Sequence, residues 1–224
     1  GIMREFYVER DNVREERRLR TESTPTGKLN EAFEAMFWQA HPYGVPVLGW
    51  ASEVESITSQ DVRDFYKIYY APNNARMVLV GDFDSNKVVD MAKKYFGGIP
   101  RGTQPPDPVI TEEPRPLAER RFDGEAETNP SVTVRYHGVA LGHPDEAALD
   151  VVGELLSGKT GRLYKRLVAK DESAMGQPSG SNSSRKYAGY MEIDATVKEG
   201  KTPEAVEQAI LEEVEKLREG EITD

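Results

Sequence analysis

A proline-rich stretch near the middle of the chain limits the folds that the sequence can adopt. Residues 97–116 read GGIPRGTQPPDPVITEEPRP and hold six of the 14 prolines among 224 residues. Proline lacks a backbone N–H and cannot continue a helix or pair within a central strand. The stretch therefore predicts an extended connection between two packed units. We expect a first part at 1–98, a linker at 99–116 and a second part at 117–224.

Hydrophobic spacing and capping signals predict helices and strands on both sides of this linker. The predicted helices cover about 4–22, 27–40, 59–70, 85–97, 144–157, 161–170 and 203–219. The predicted strands cover about 76–81, 117–123, 131–138, 173–182 and 188–197. Thr58 and Asp61 stand at capping-box spacing, and residues 76–81 form an apolar run typical of a short buried strand. Strands separated by paired helices predict an α/β arrangement with helices over one sheet.

Both ends of the sequence look like interrupted elements. A helical pattern is under way by Arg4, and Thr223 with Asp224 is typical of the start of a helix. We therefore expect this chain to be a piece of a longer protein.

The composition excludes several classes of function. A net charge of −10 and a pI near 5.0 argue against a nucleic-acid module, which needs a dense basic face. The absence of cysteine excludes thiolate metal sites, disulfides and cysteine nucleophiles. No apolar run approaches the roughly 18 residues that a membrane span requires. At 38% hydrophobic and 30% charged residues, the composition is that of a globular protein.

The first predicted helix places two acids on one face. Glu9, Val13 and Glu16 stand at i, i+4 and i+7, so the two carboxylates are about 10 Å apart along the helix axis. That separation is too long for both to bind one metal ion comfortably. It suits one carboxylate that binds a metal and one that orients another ligand. Two glutamates at this spacing are more often part of a solvated helix face, and the spacing alone leaves both interpretations open.

Several longer segments carry a family resemblance across nearly the whole chain. They are ERDNVREERRLR, KLNEAFEAMFWQAHPYGVPVLGW, DVRDFYKIYYAPNNARMVLVGDFD, KKYFGGIP, GRLYKRLV and KYAGYMEIDATV. Taken together they resemble the insulinase/pitrilysin family of zinc metallopeptidases, the inverzincin or M16-like class, whose zinc motif is H-x-x-E-H. The resemblance implies an α+β or α/β domain of the LuxS/mitochondrial-processing-peptidase-like type. In that domain a mixed, mostly antiparallel sheet is covered by helices on one face.

The resemblance also assigns roles to the two acids. Glu16 falls where the family places its distal zinc ligand, and Glu9 where it places the supporting acid. None of His41, His137 and His143 begins an H-x-x-E-H, so that motif is expected before residue 1. The resemblance thus implies no catalytic or cofactor-binding residue in this piece, which is expected to be inactive alone. The intact catalytic domain would hold one zinc ion, bound by two imidazoles and Glu16.

The same resemblance divides the chain into parts of a peptidase domain. Residues 1–98 would be the later part of the first peptidase half, and 117–224 the second half, truncated at its end. The family's partner domain supplies an Arg and a Tyr, whose places are taken here by Val168 and Met175. A second homologous domain, in cis or in trans, would therefore supply that pair.

The implied activity is zinc-dependent endoproteolysis of peptides or unfolded polypeptides. The alternative is a non-catalytic family member that acts as a scaffold or assembly subunit. No nucleic-acid partner and no membrane span is expected. The compartment stays open, with the bacterial periplasm or the cytoplasm favoured over a membrane.

Two other motifs are predicted to be structural. Residues 153–160, GELLSGKT, match the phosphate-loop pattern G-x-x-x-x-G-K-[ST], but the helical spacing of Leu149, Val152 and Leu156 places Gly153 inside a helix. A phosphate loop must instead follow a strand and open a helix. His41 lies in the turn-forming sequence HPYG, which predicts a histidine bonded to the backbone.

Overall fold

The chain folds into two compact units. A computed structural model describes residues 5–221, and the chain passes from the first unit to the second between Gly124 and Glu125. The proline-rich segment therefore belongs to the first unit. The predicted helix start at Thr223 and Asp224 lies outside the described residues. None of the helices within residues 5–221 combines the length and apolar character needed to cross a membrane.

The described part of the first unit is helical. Its helices are α1 (Phe6–Arg17), a π-helical turn (Arg18–Glu22), α2 (Gly27–Phe37), α3 (Ala51–Ser56), α4 (Ser59–Tyr69) and α5 (Ser85–Phe96), with 3-10 turns at Pro42–Gly44 and Pro72–Asn74. The capping box that opens α4 is confirmed: the Asp61 N–H donates to the Thr58 hydroxyl at 3.3 Å, and the Thr58 N–H donates to the Asp61 carboxylate at 2.8 Å. Local capping thus sets this helix start.

The predictions of strands at 76–81 and 117–123, both of which lie in the first unit of the structure, are wrong. Neither 76–81 nor 117–123 forms a strand among the described residues. The apolar side chains of the first segment are exposed rather than buried, and Val80 retains 93% of its accessible surface. The apolar run shows the tendency of these residues to form a strand, but a strand needs a neighbouring strand to bond with, and the described residues supply none.

The proline-rich segment is bonded to the first unit. The Gly102 N–H donates to the Asn73 side-chain oxygen at 2.8 Å. The Glu113 carboxylate accepts the consecutive backbone N–H groups of residues 39–41, at 2.6, 3.0 and 2.9 Å. These contacts hold an irregular segment against the helices, so it is not a free linker.

The second unit is built on an antiparallel sheet. Its elements are β1 (Ser131–Gly138), α6 (Glu146–Leu156), a π-helical segment (Tyr164–Lys170), β2 (Ala174–Ser183), β3 (Gly189–Val197) and α7 (Pro203–Arg218). The strand order is β1-β3-β2, with Ser131 opposite Thr196 in the first pair. The pairing of β2 with β3 is irregular between Met175 and Ser179, where β2 bulges.

The core of the second unit lies on one face of this sheet. Alternate residues of β3 are buried, as the two-residue period of a strand requires. They pack with helical side chains into a cluster that contains Leu156, Leu163, Leu167, Ala174, Ile193, Ala195, Val197, Val206, Ala209 and Ile210. The predicted sheet with helices on one face is thereby confirmed.

Helix α6 packs very close to β2 through two glycines. A Cβ on Gly153 would lie 3.3 Å from the Gly180 carbonyl oxygen, and a Cβ on Gly180 would lie 2.8 Å from Leu156. The Ser157 hydroxyl donates to the Gly180 carbonyl at 2.8 Å. The helical placement of Gly153 is confirmed, and its lack of a side chain serves close packing rather than phosphate binding.

Candidate functional site

Three arginines bind α1 to the rest of the first unit. Arg10, Arg14 and Arg17 stand at i, i+4 and i+7, so they share one face of the helix. Arg10 donates to the backbone carbonyls of Glu55 and Ile57 at 3.3 and 3.5 Å, and Arg14 donates to the Glu55 carboxylate at 3.0 Å. This face contacts the region of α3 and fixes which way α1 is turned.

Arg17 is the buried member of this row. It is 6% exposed, and its two terminal nitrogens donate to the Glu31 carboxylate at 2.6 and 2.8 Å. One of them also donates to the Gly49 carbonyl at 2.9 Å. The hydrogen bond to Glu31 raises the pKa of the Arg17 guanidinium, so the guanidinium stays charged. A planar guanidinium suits this arrangement because it can bind a carboxylate with two parallel N–H groups.

The two acids predicted to serve a metal lie on the neighbouring face. Glu9 and Glu16 each precede one of the arginines by one residue, which turns them about 100° around the helix. Glu16 is half-buried, with 40% of its side chain exposed, and forms an ion pair with Arg20 at 2.8 Å. Glu9 is exposed and accepts a hydrogen bond from Asn12 at 3.4 Å. The structure thus places both on one face, apart from the docking face of α1.

The first predicted helix is not a uniform α-helix. The α-helical pattern ends at Arg17, and the next five residues form a π-helical turn in which the Ser23 N–H donates to the Arg18 carbonyl at 2.8 Å. Such turns occur frequently at functional sites. Here the turn carries Arg20, the partner of Glu16.

The described residues do not form a complete metal site. Within residues 5–221, no three His, Asp or Glu side chains lie close enough together to hold an ion. Catalytic zinc normally takes three protein ligands, and a carboxylate oxygen is an accepted one. Glu16 is partly accessible and held by a single surface ion pair. Residues 5–221 are therefore compatible with a zinc site to which they contribute one carboxylate, and they do not form such a site by themselves.

His41 is not a candidate ligand. It is buried, and its Nδ1 accepts the Tyr43 backbone N–H at 3.1 Å. Its ring lies 4.2 Å from the Tyr43 ring and 5.8 Å from the Trp38 ring. The predicted turn histidine bonded to the backbone is confirmed.

A cavity of about 320 Å³ lies between α1, the π-helical turn and α3. Its charged lining is mixed, with Arg14, Arg17 and Arg18 facing acids that include Asp11 and Glu55. Because the charges of both signs are interspersed, the cavity has no strong preference for an anion or a cation. Glu16 does not line it.

The two positions at which the resemblance places the family's Arg and Tyr, Val168 and Met175, lie in the second unit. Val168 packs against the hydrophobic core. Met175 is 41% exposed and lines a hollow of about 410 Å³ at the β2 bulge, together with Gln177 and Asp194. Neither side chain can donate a hydrogen bond to a substrate oxygen.

Arg17 is the residue of this region that the sequence interpretation missed. Its neighbours in the chain, Arg14, Arg18 and Arg20, are exposed arginines that look the same in sequence. Its position, seven residues after Arg10 and three after Arg14, puts it in the i, i+4, i+7 row. That row becomes meaningful once Glu31 and Gly49 are known to lie beside Arg17.

Comparisons with known proteins agree on one family. The model of the family described as Peptidase M16 inactive domain matches residues 56–224. Zinc protease PqqE of Helicobacter pylori is 31% identical over 223 residues, which cover 98% of this chain and 50% of that protein. A crystal structure of a protease from Helicobacter pylori is similar with a TM-score of 0.86 at 31% identity, covering 98% of this chain and 54% of that chain.

A third relative has a different name. Core protein I of the ubiquinol-cytochrome-c reductase complex of Euglena gracilis is 31% identical over 121 residues, which cover 50% of this chain and 22% of that protein. The chain thus spans about half the length of the Helicobacter zinc protease, and less of the other relative. Because the family model matches about three quarters of the residues and the fold agrees throughout, the chain belongs to the M16 peptidase family.

Proposed function

We propose that this chain is part of a zinc-dependent metalloendopeptidase that hydrolyses peptides or unfolded polypeptides. The observation that carries the proposal is the 31% identity, over nearly the whole chain, to a protein named as a zinc protease. The aligned residues include α1, whereas the family model matches only residues 56–224. By itself this chain would be inactive, because it supplies one metal ligand.

In the proposed enzyme, α1 supplies the carboxylate of Glu16 to a single zinc ion. Two imidazoles from an H-x-x-E-H segment elsewhere in the polypeptide would complete the protein ligands, and Glu9 would support the site from the same helix face. Bound zinc would supply Lewis-acid activation of water and of the peptide carbonyl. To bind the metal, Glu16 would give up its ion pair with Arg20. A surface ion pair of this kind is worth about 0.2–1 kcal/mol.

The substrate would lie between this domain and a second, homologous domain. Val168 and Met175 cannot stabilise a developing oxyanion, so we assign that task to an Arg and a Tyr of the second domain, in cis or in trans. An extended peptide would bind by strand addition to a sheet edge, which suits chains without stable structure.

The test uses the polypeptide of full family length that contains this chain. We expect one zinc per catalytic domain and cleavage of an unfolded protein such as reduced casein. Glu16→Gln keeps the shape of the side chain and removes its charge, and it should lower both zinc content and cleavage rate at least tenfold. Glu15→Gln is the matched control, because Glu15 is adjacent, exposed and paired with Arg18. Unchanged zinc binding and activity in Glu16→Gln would refute the ligand assignment.

The second candidate function is a non-catalytic scaffold or assembly subunit. Two observations favour it: the matching family model is described as an inactive domain, and one relative is named as a core protein of a respiratory complex. The coding sequence upstream of residue 1 separates the two functions. An H-x-x-E-H there supports the peptidase, and its absence from the whole polypeptide supports the scaffold.

A further inference from the structure

The roll of α1 about its own axis decides where the Glu16 carboxylate lies. Side-chain ends on a helix lie about 5–6 Å from its axis, so a roll of roughly 20° displaces a carboxylate by about 2 Å. Metal–ligand distances tolerate about 0.2 Å. A helix that gives one ligand to a metal must therefore be held against rotation by contacts other than the ligand itself.

Arg17 provides that hold at the residue next to Glu16. Its guanidinium is bound on two elements at once: the Glu31 carboxylate of α2 at 2.6 and 2.8 Å, and the Gly49 carbonyl before α3 at 2.9 Å. Gly49 has φ of +73°, a left-handed conformation that glycine adopts readily, and its carbonyl thereby faces the guanidinium. Three hydrogen bonds to two separate elements restrain both the position and the rotation of the helix at this point.

The other two arginines of the row hold α1 less firmly. The Arg14 side chain is 49% exposed and its partner Glu55 is 59% exposed, whereas the side chains of Arg17 and Glu31 are 7% and 17% exposed. Arg10 donates only long hydrogen bonds, at 3.3 and 3.5 Å. Water can replace the partners of the exposed Arg14 and Glu55 side chains, and it has little access to the buried pair of Arg17 and Glu31.

From these contacts we infer that Arg17, through its bonds to Glu31 and Gly49, is a positioning residue that aims the Glu16 carboxylate at the metal. The inference rests on the proposed function, because it takes Glu16 as a zinc ligand. It assigns a metal-directed role to a residue that does not touch the metal, as outer-sphere partners do in other zinc sites.

The test measures zinc affinity by chelator competition in the full-length polypeptide. We expect Arg17→Met to weaken zinc binding about 10- to 100-fold, the usual effect of losing an outer-sphere partner. Arg17→Lys keeps the charge but cannot bind two acceptors in one plane, so we expect an intermediate loss. Arg18→Met is the matched control: Arg18 is exposed and pairs with Glu15 on its own helix, and its loss should leave the affinity within about twofold.

A second readout separates positioning from stability. In the Co²⁺-substituted protein, we expect Arg17→Met to alter the ligand-field absorption, since the carboxylate then binds in a changed geometry. Glu31→Gln, which keeps the side-chain shape, should give the same change to a smaller extent, and it decides the case if Arg17→Met does not fold. A lower melting temperature with unchanged zinc affinity and unchanged Co²⁺ spectrum would show a purely structural role and overturn the inference. A wild-type polypeptide that binds no zinc would instead refute the proposed function, whereas unchanged zinc affinity in Glu16→Gln would refute the assignment of Glu16 as a ligand.

Discussion

At the scale of single residues, the buried charges of this chain are found in pairs that join separate elements. Arg17 joins α1 to α2, and in the second unit Arg162 reaches across to Glu213 of α7 at 3.0 Å. Glu213 is 5% exposed and also accepts from Lys216 at 2.6 Å. Leaving such a charge without its partner is costly, so these pairs specify how elements pack.

The titration of Glu213 predicts a pH dependence of stability. Burial by itself would raise its pKa, but the hydrogen bonds and charges of Lys216 and Arg162 together outweigh burial and lower the pKa below its ordinary value of 4.5. A folded-state pKa below the unfolded one gives stability that is fully present above about pH 4.5 and is lost as the pH falls through the folded pKa. Acid should therefore loosen α7.

Amide hydrogen exchange of α7 between pH 7 and 3 measures this effect. At pH 7 we expect Glu213→Gln to lower the local opening free energy by about 1–3 kcal/mol, because Arg162 loses a charged partner. As the pH falls below about 4.5 and the Glu213 carboxylate becomes protonated, the difference from wild type should shrink. Glu215→Gln is the control, since Glu215 lies on the same helix, is 48% exposed in its pair with Arg218, and should change little. A difference that stays constant with pH would contradict the titration.

At the scale of elements, local signals located helix starts well and strands of the first unit badly. Capping at Thr58 and at Asp84 depends on side chains within three residues, which the sequence shows directly. A strand depends on a partner that is remote in sequence. The segment 76–81 has suitable residues and no partner strand within the described chain, so its apolar side chains stay exposed.

This exposure predicts self-association of the 224-residue chain. An apolar, strand-forming segment with unpaired backbone groups can pair with the same segment of a second copy. We expect concentration-dependent oligomers in sedimentation velocity and binding of a hydrophobic dye. Val78→Lys with Val80→Lys should reduce both, whereas Val151→Lys, at a site 58% exposed on α6, should not. Equal behaviour of the two variants would show that another surface causes association.

At the scale of the whole molecule, the division of the chain lies beyond the proline-rich segment. The bonds from Gly102 to Asn73 and from Glu113 to residues 39–41 hold that segment on the first unit. The passage to the second unit comes between Gly124 and Glu125. Proline content identified an irregular segment but could not show what the segment packs against.

Limited proteolysis with a glutamate-specific protease tests this division. Both regions offer sites: Glu112 lies in the proline-rich segment, and Glu125 and Glu127 lie at the passage between units. Because cleavage needs local unfolding, we expect the first cut at Glu125 or Glu127, about tenfold faster or more, giving two fragments near residue 125. Glu113→Gln removes the hydrogen-bonded carboxylate and should expose Glu112 to cleavage. A first cut at Glu112 in the wild type would contradict the assignment.

The sequence by itself determined what depends on neighbours along the chain: the periodicity of most helices, their caps, the alternation along β3, the helical setting of Gly153 and the shared face of Glu9 and Glu16. Only the tertiary structure decided which of several similar arginines is buried, where the units divide and which apolar run lacks a partner strand. The physical reason is the distance along the chain over which each interaction acts. Periodicity and capping act over a few residues, whereas burial, ion pairing across elements and strand pairing are set by segments that meet only after folding.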